Sequence, residues 1–178
     1  YEKRNLILVD HNQVVQSVDG IEEANILEVV DHHNLGSLGT TIPISFRTMP
    51  VGCTSTIIYE IYKENNVEIP GPIAGLMLSA ILSDTLLLKS PTTTNMDIEV
   101  ARKLAMIANL DIEEYGMNML RAGSSIKGMT TEEIVEQDFK SFKLNDCSIG
   151  IGQVMTLDFE EIKKNINDYV KHLDEMCE

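Results

Sequence analysis

Two short apolar runs, each closed by acid and histidine, constrain this chain most: Asn5-Leu-Ile-Leu-Val-Asp10-His11-Asn12 and Ile26-Leu-Glu-Val-Val-Asp31-His32-His33-Asn34. Runs this short, and this rich in Val, Ile and Leu, read as buried parallel strands. Open α/β sheets bind ligands beyond the carboxyl ends of their strands, so both acid–histidine clusters should open onto one crevice. Carboxylate and imidazole gathered in a cleft suit a hard-to-borderline divalent metal.

The rest of the chain continues the alternation of strand and helix. Ile21-Glu-Glu-Ala reads as a short helical turn, and Pro43 to Met49 as a strand at a sheet edge. A helix follows Val51–Ser55, with Ile57, Ile58, Ile61 and Tyr62 on its apolar face and Asn65-Asn66 as its stop. Pro70-Gly-Pro72 opens the next helix, with Pro72 in its first turn. The apolar stretch Ile73 to Leu88 reads as a core helix. It is too short to span a bilayer comfortably and it contains Asp84. Further helices are expected over Asn95–Ala108 and Asp111–Arg121. Ala122 to Gly128 is a small, polar, glycine-containing link. Thr130-x-x-Glu133 then forms a capping box. Strands at Asp138–Leu144 and Ser148–Met155 meet in a hairpin at Asn145-Asp146, and Thr156 or Asp158 caps a final helix starting near Phe159. The class is therefore α/β. Residues 1–122 form a parallel-sheet domain flanked by helices, 123–130 a hinge, and 131–178 the start of a smaller α+β domain. Two strands and one helix are too little to bury a core alone, so the chain reads as part of a larger protein.

A formal charge of −14 and a sequence pI near 4.6 argue against non-specific binding to nucleic acid or to an anionic membrane. The three cysteines, Cys53, Cys147 and Cys177, form no Cys-x-x-Cys pair. Their odd number speaks against a disulfide scaffold and for a reduced, cytoplasmic setting, each being a small buried hydrophobe or a free thiol. Tyr1-Glu-Lys-Arg-Asn leads directly into a strand without the pattern of a signal peptide.

Within the candidate crevice the residues differ in how much they say. An isolated Asp10 at a strand end is ordinarily a turn or cap residue, but its position facing Asp31-His32-His33 favours metal. One histidine of the pair can ligate while a carboxylate orients it, and its neighbour should point elsewhere in an extended backbone, so the two have different jobs. Asp84 inside Leu78–Leu88 is costly to bury unless paired or coordinated, although Ser83-Asp84-Thr85 could equally end the helix there. A ligand role is favoured, because the opening clusters supply too few ligands. His11 and Asn12 fit a supporting or turn role, and His172 the surface.

Asp31-His32-His33 resembles the motif that gives the DHH phosphoesterase superfamily its name. Leu8–Asn12, Glu28–His33, Pro50–Thr54, Ala74–Thr85 and Lys89–Thr92 resemble, in order, the motifs of family II inorganic pyrophosphatases. The likeness runs on through Glu114–Gly116 to Gln153-Val154. Those are manganese- or cobalt-dependent enzymes of bacterial cytoplasm whose substrate carries magnesium.

The resemblance implies that Asp10 bridges two metal ions and that His32 and Asp84 complete one metal site. It further implies that His33 and Lys140 contact substrate phosphate, while Asp31 supports the histidines. Two ions with a shared, activated water would attack pyrophosphate in line, aided by cationic groups on the leaving phosphate. The family's amino-terminal motif of one His and two Asp ligands has no counterpart here, nor has its carboxy-terminal Ser-Arg-Lys-Lys segment. The segment alone is therefore expected to be weakly active or inactive. A homodimer paired through sheet edges near Ile42–Phe46, and regulatory CBS domains in the parent chain, are further implications. The alternatives are another DHH phosphoesterase, acting on oligonucleotides, nucleotide 3′-phosphates or polyphosphate, or a non-catalytic metal-binding scaffold.

Overall fold

A computed structural model describes residues 4–36, 38–145, 147–157 and 159–177. Asp146, in the expected hairpin turn, and Asp158, one of the two expected caps, lie outside the described residues. The chain forms two compact units, Tyr1–Met117 and Asn118–Glu178.

In the first unit, β1 (Asn5–Val9), β2 (Asn25–Asp31) and β3 (Ser45–Thr48) form a sheet in the order β1-β2-β3. Both pairings are parallel, with Val9 opposite Val30 and Asp31 opposite Thr48. All three strands thus finish at one edge. The central strand explains the unbroken apolar run: Val29 packs with Leu8 and Ile21 on one face, and Val30 with Val51 and Ile57 on the other. Ile7 and Val9 of the outer strand β1 remain exposed. The strand expected over Pro43–Met49 is the edge strand β3.

Three helices cover this unit: α1 (Thr54–Glu64), α2 (Gly71–Asp84) and α3 (Asn95–Ala108). A fourth, α4 (Ile112–Gly123), runs past the boundary between the units. Pro72 stands in the first turn of α2, and α3 has the expected limits. The helix expected to reach Leu88 instead ends at Asp84. Leu86, Leu87 and Leu88 then adopt left-handed backbone at φ 47°, 57° and 62°. Each such residue costs about 1–2 kcal/mol. Local bonds hold the turn: Leu87 N donates to Leu82 O at 2.9 Å, and Leu88 N to Thr85 Oγ1 at 3.1 Å. The Leu87 side chain lies against Gly116 of α4, where a Cβ would collide with it.

The second unit holds α5 (Thr131–Val135), the antiparallel hairpin β4 (Phe139–Leu144) and β5 (Cys147–Gly152), and α6 (Phe159–Lys164) and α7 (Ile166–Met176). Its core joins Ile126, Ile134, Val135 and Tyr169. The capping box at Thr130 and Glu133 is formed in both directions. The single final helix of the sequence reading is broken at Asn165, whose side-chain amide turns back onto the Glu161 carbonyl at 3.2 Å.

One buried carboxylate ties the first unit's elements together. Asp97, at 0% exposure, completes the capping box of α3 with Thr94. It also accepts from Gly52 N at 2.8 Å and from Thr56 Oγ1 at 2.6 Å. Burial pushes its carboxyl upward, but these donors outweigh that and hold it below the usual carboxylate range. A depressed folded pKa contributes stability above the unfolded value, about 3.9, and loses it as the pH falls through the lower folded one. Asp97→Asn should therefore be less stable than the parent by roughly 1–3 kcal/mol near neutral pH. Urea titrations at descending pH should show this gap closing below about pH 4, where the parent carboxyl protonates.

Candidate metal centre

Asp10 stands one residue beyond β1 in left-handed backbone, φ 67°, which Asp tolerates better than most residues. Its amide continues the ladder by donating to Val30 O at 3.0 Å. The turn leaves its carboxylate open, with Thr54 Oγ1 donating to Oδ1 at 2.7 Å and His32 Nε2 3.5 Å from the same oxygen. Strain of this kind at a strand end is common at functional positions.

Asp31, the last residue of β2, is fully buried and acts as the support. Its Oδ1 accepts from His32 N at 2.8 Å, His33 N at 3.2 Å and His33 Nδ1 at 2.8 Å. Its Oδ2 accepts from Asn12 Nδ2 at 2.5 Å. Burial pushes the carboxyl up, and the bonds from His33, Asn12 and the backbone bring it below its ordinary value. Asn12 is itself buried and also reaches Asn34 O at 3.0 Å and Gly36 N. It joins the two strand ends that carry the acids.

The two histidines converge, contrary to the alternation expected of extended backbone. Their ring centroids are 4.2 Å apart with planes tilted by 58°. The reason is that β2 ends at Asp31, so the period of two no longer applies. Each ring is oriented through Nδ1, by the Val51 carbonyl at 3.0 Å for His32 and by Asp31 for His33. At His32, a proton on Nδ1 leaves Nε2 as the nitrogen with a free lone pair for a metal. Asp10, His32 and His33 each place one ligand atom within 4.8 Å of the others. Among the described residues this is the one group of such side chains.

Asp84 is not part of that group. It is exposed rather than buried among the leucines, because α2 stops there. The Cys53 thiol is pushed up to about 12 by burial and, after it, by the Asp84 carboxylate, so the sulfur stays protonated. A carboxylate at a helix C-terminus faces the negative end of the helix dipole, a position that favours a cation nearby. His11 turns away into its own loop, with Nδ1 3.0 Å from Val9 O and Nε2 3.0 Å from Ser17 Oγ. Lys140 lies on β4 of the second unit, largely exposed, 3.3 Å from Asp138. His172 is paired with Glu136 at 3.4 Å.

The sequence reading missed what the loop before α1 does. Val51 O and Thr54 Oγ1 touch His32 and Asp10 in turn. Only the helix entrance at Val51–Ser55 was visible as a signal, since Cys53 occupies the cap of α1 and accepts from Ser55 N at 3.4 Å.

A parallel sheet with this acid–histidine cluster beyond its carboxyl edge is the arrangement of the DHH class. Residues 2–81 match the N-terminal domain of the DHH family, and residues 117–178 match the DHHA2 domain. The manganese-dependent inorganic pyrophosphatase of Bacillus subtilis is 52% identical over 163 residues, covering 92% of this chain and 53% of that protein. A Clostridium acetobutylicum protein assigned the same name is 50% identical over 170 residues, 94% of this chain and 55% of its own. A crystal structure of a Methanococcus jannaschii protein assigned to the family II inorganic pyrophosphatases superposes with a TM-score of 0.75 at 44% identity. It covers 96% of this chain and 59% of that one. The chain belongs to the family II inorganic pyrophosphatases of the DHH superfamily. It spans about half the length of the curated relatives it matches.

Asn12→Ala would leave the Asp31 Oδ2 without its donor and break the tie between strand ends. We expect a loss of roughly 1–3 kcal/mol in denaturant unfolding. Carbon-detected NMR titration should find the Asp31 carboxyl ionising at higher pH than in the parent, since one of the bonds that lowers it is gone.

Proposed function

We propose that the full-length protein hydrolyses inorganic pyrophosphate to two phosphates, using manganese held at the acid–histidine cluster. The observation that carries this reading is the convergence of Asp10, His32 and His33 within 4.8 Å at the carboxyl edge of the sheet. Its sequence setting is that of proteins named manganese-dependent inorganic pyrophosphatases. The donor set of carboxylate and oriented imidazole fits manganese, and cobalt as well.

Asp10, His32 and Asp84 would hold the metal in this half of the site, and Asp10 would be shared with a second ion. Bound divalent ions supply charge neutralisation at phosphate oxygens and acidify water. His33, fixed by Asp31 at Nδ1, presents Nε2 to a substrate phosphate. Lys140 supplies a further cation for phosphate in this reading, and its salt bridge to Asp138 would be exchanged on binding. Thr54 keeps the Asp10 carboxylate aimed, and His11 serves only its turn. Pyrophosphate would arrive with magnesium. The domain division at residues 123–130, a cytoplasmic homodimer and regulatory CBS domains elsewhere in the chain complete the proposal. No helix of the described residues is long and apolar enough to cross a membrane.

Calorimetric titration of manganese into the full-length protein, paired with a phosphate-release assay, tests this. Asp10→Asn, His32→Gln and Asp84→Asn should each weaken manganese binding by tenfold or more, at least about 1.4 kcal/mol. His33→Gln should leave that affinity close to the parent's and raise KM for pyrophosphate. The isolated segment should turn over weakly or not at all. Unchanged manganese affinity in all three ligand variants, or a preference for oligonucleotides over pyrophosphate, would sink the proposal.

A further inference from the structure

The loop 51–54 touches two of the proposed ligands. Val51 offers its carbonyl to His32 Nδ1 at 3.0 Å, and Thr54 its hydroxyl to Asp10 at 2.7 Å. Gly52, between them, makes neither bond. Its amide instead donates to Asp97 Oδ2 at 2.8 Å. Asp97 is fully buried, and it reaches this loop from the first turn of α3.

We propose that Asp97 is a positioning residue for the metal centre: by fixing Gly52, it sets the loop that aims Asp10 and His32. This rests on those two side chains holding the ion. The clamp is rigid at both of its ends. On the α3 side, Oδ2 also accepts from Thr94 N at 2.8 Å and from Thr94 Oγ1 at 2.6 Å. On the α1 side, Oδ1 accepts from Thr56 Oγ1 at 2.6 Å, two residues past Thr54. The space around Gly52 is correspondingly closed. A Cβ there would stand 2.8 Å from Thr85 Cγ2, 3.0 Å from Asp97 Oδ2 and 3.2 Å from the Thr92 carbonyl. The residue it would strike first, Thr85, directly follows Asp84. Gly52 is thus where the Asp97 clamp, the loop and the end of α2 meet.

Groups that orient metal ligands without touching the ion commonly change affinity by about 10–100-fold when removed. A helix cap or core residue changes stability alone. In the full-length protein we therefore expect Asp97→Ala and Gly52→Ala each to weaken manganese binding, read by calorimetry or by electron paramagnetic resonance of the free ion, by about tenfold or more. Asp97→Asn should recover most of that affinity, because an amide oxygen still accepts from Gly52 and the Thr56 hydroxyl can reverse to accept from the amide nitrogen. Leu104→Ala, a buried core change on the same helix, supplies the comparison: it should cost stability while keeping manganese affinity within about twofold, since Leu104 lies about two turns along α3 from Asp97. Gly52→Ala covers the case in which Asp97→Ala does not fold. Parent-like manganese affinity in folded Asp97→Ala or Gly52→Ala, alongside a clear loss in Asp10→Asn, would overturn the positioning role alone. Equal losses in Leu104→Ala would overturn it too. An unweakened Asp10→Asn would instead overturn the metal assignment beneath it.

Discussion

Val9 lies opposite Val30 in a parallel ladder, and the next amide, Asp10 N, still donates to the Val30 carbonyl. That register brings two chain segments, about twenty residues apart in sequence, to finish at the same edge of one sheet. Slipping it by one residue would turn Val29 and Val30 to the wrong faces and take apart both apolar clusters. The placement of Asp10 beside His32 is therefore enforced by burial of aliphatic side chains rather than by attraction between the polar groups. The hydrogen bonds beyond the strands refine an arrangement that packing has already chosen.

Two buried carboxylates do that refining, and both are stabilised as anions by the same means. Asp31 and Asp97 lose water on folding and replace it with donors from backbone, amide, imidazole or hydroxyl groups. In each, the donors outweigh desolvation. Their geometry differs in a telling way. Asp31 gathers groups within its own strand end and from Asn12, so it fixes side chains close to itself. Asp97 spans from α3 to the loop before α1, so it fixes backbone at a distance. Leaving any of these donors unmatched would cost about as much as a buried polar group does elsewhere, roughly 1–3 kcal/mol.

Much of this was legible from residue pattern. The strands β1 and β2, the limits of α3, the capping box at Thr130 and the hairpin all follow from local chemistry, and the sequence states local chemistry directly. Asp10, Asp31, His32 and His33 stood out because apolar runs pointed at them. The misreadings share a cause. The end of α2 depends on the Thr85 hydroxyl back-bonding to the Ile81 carbonyl and on Leu87 settling against Gly116 of α4, far along the chain. The converging histidines depend on where β2 stops. Asp97 did not stand out at all, because its bonds to Gly52 and Thr56 cross more than forty residues. Periodicity carries no trace of such contacts.

Accessibility and rigidity are divided between different residues of this centre. The Asp10 side chain is 56% exposed and that of His33 51%, as their proposed contacts with an ion and a phosphate require. An exposed carboxylate held only by solvent would sample many rotamers, and ordering it on binding would cost free energy. Here the buried members, Asp31, Asn12, Thr54 and Asp97, have already met that cost during folding. Left-handed backbone at Asp10 fits the same division, since its strain is carried by the sheet register behind it. The open side chains therefore keep their orientation while staying in contact with water, and both metal capture and phosphate contact require that combination.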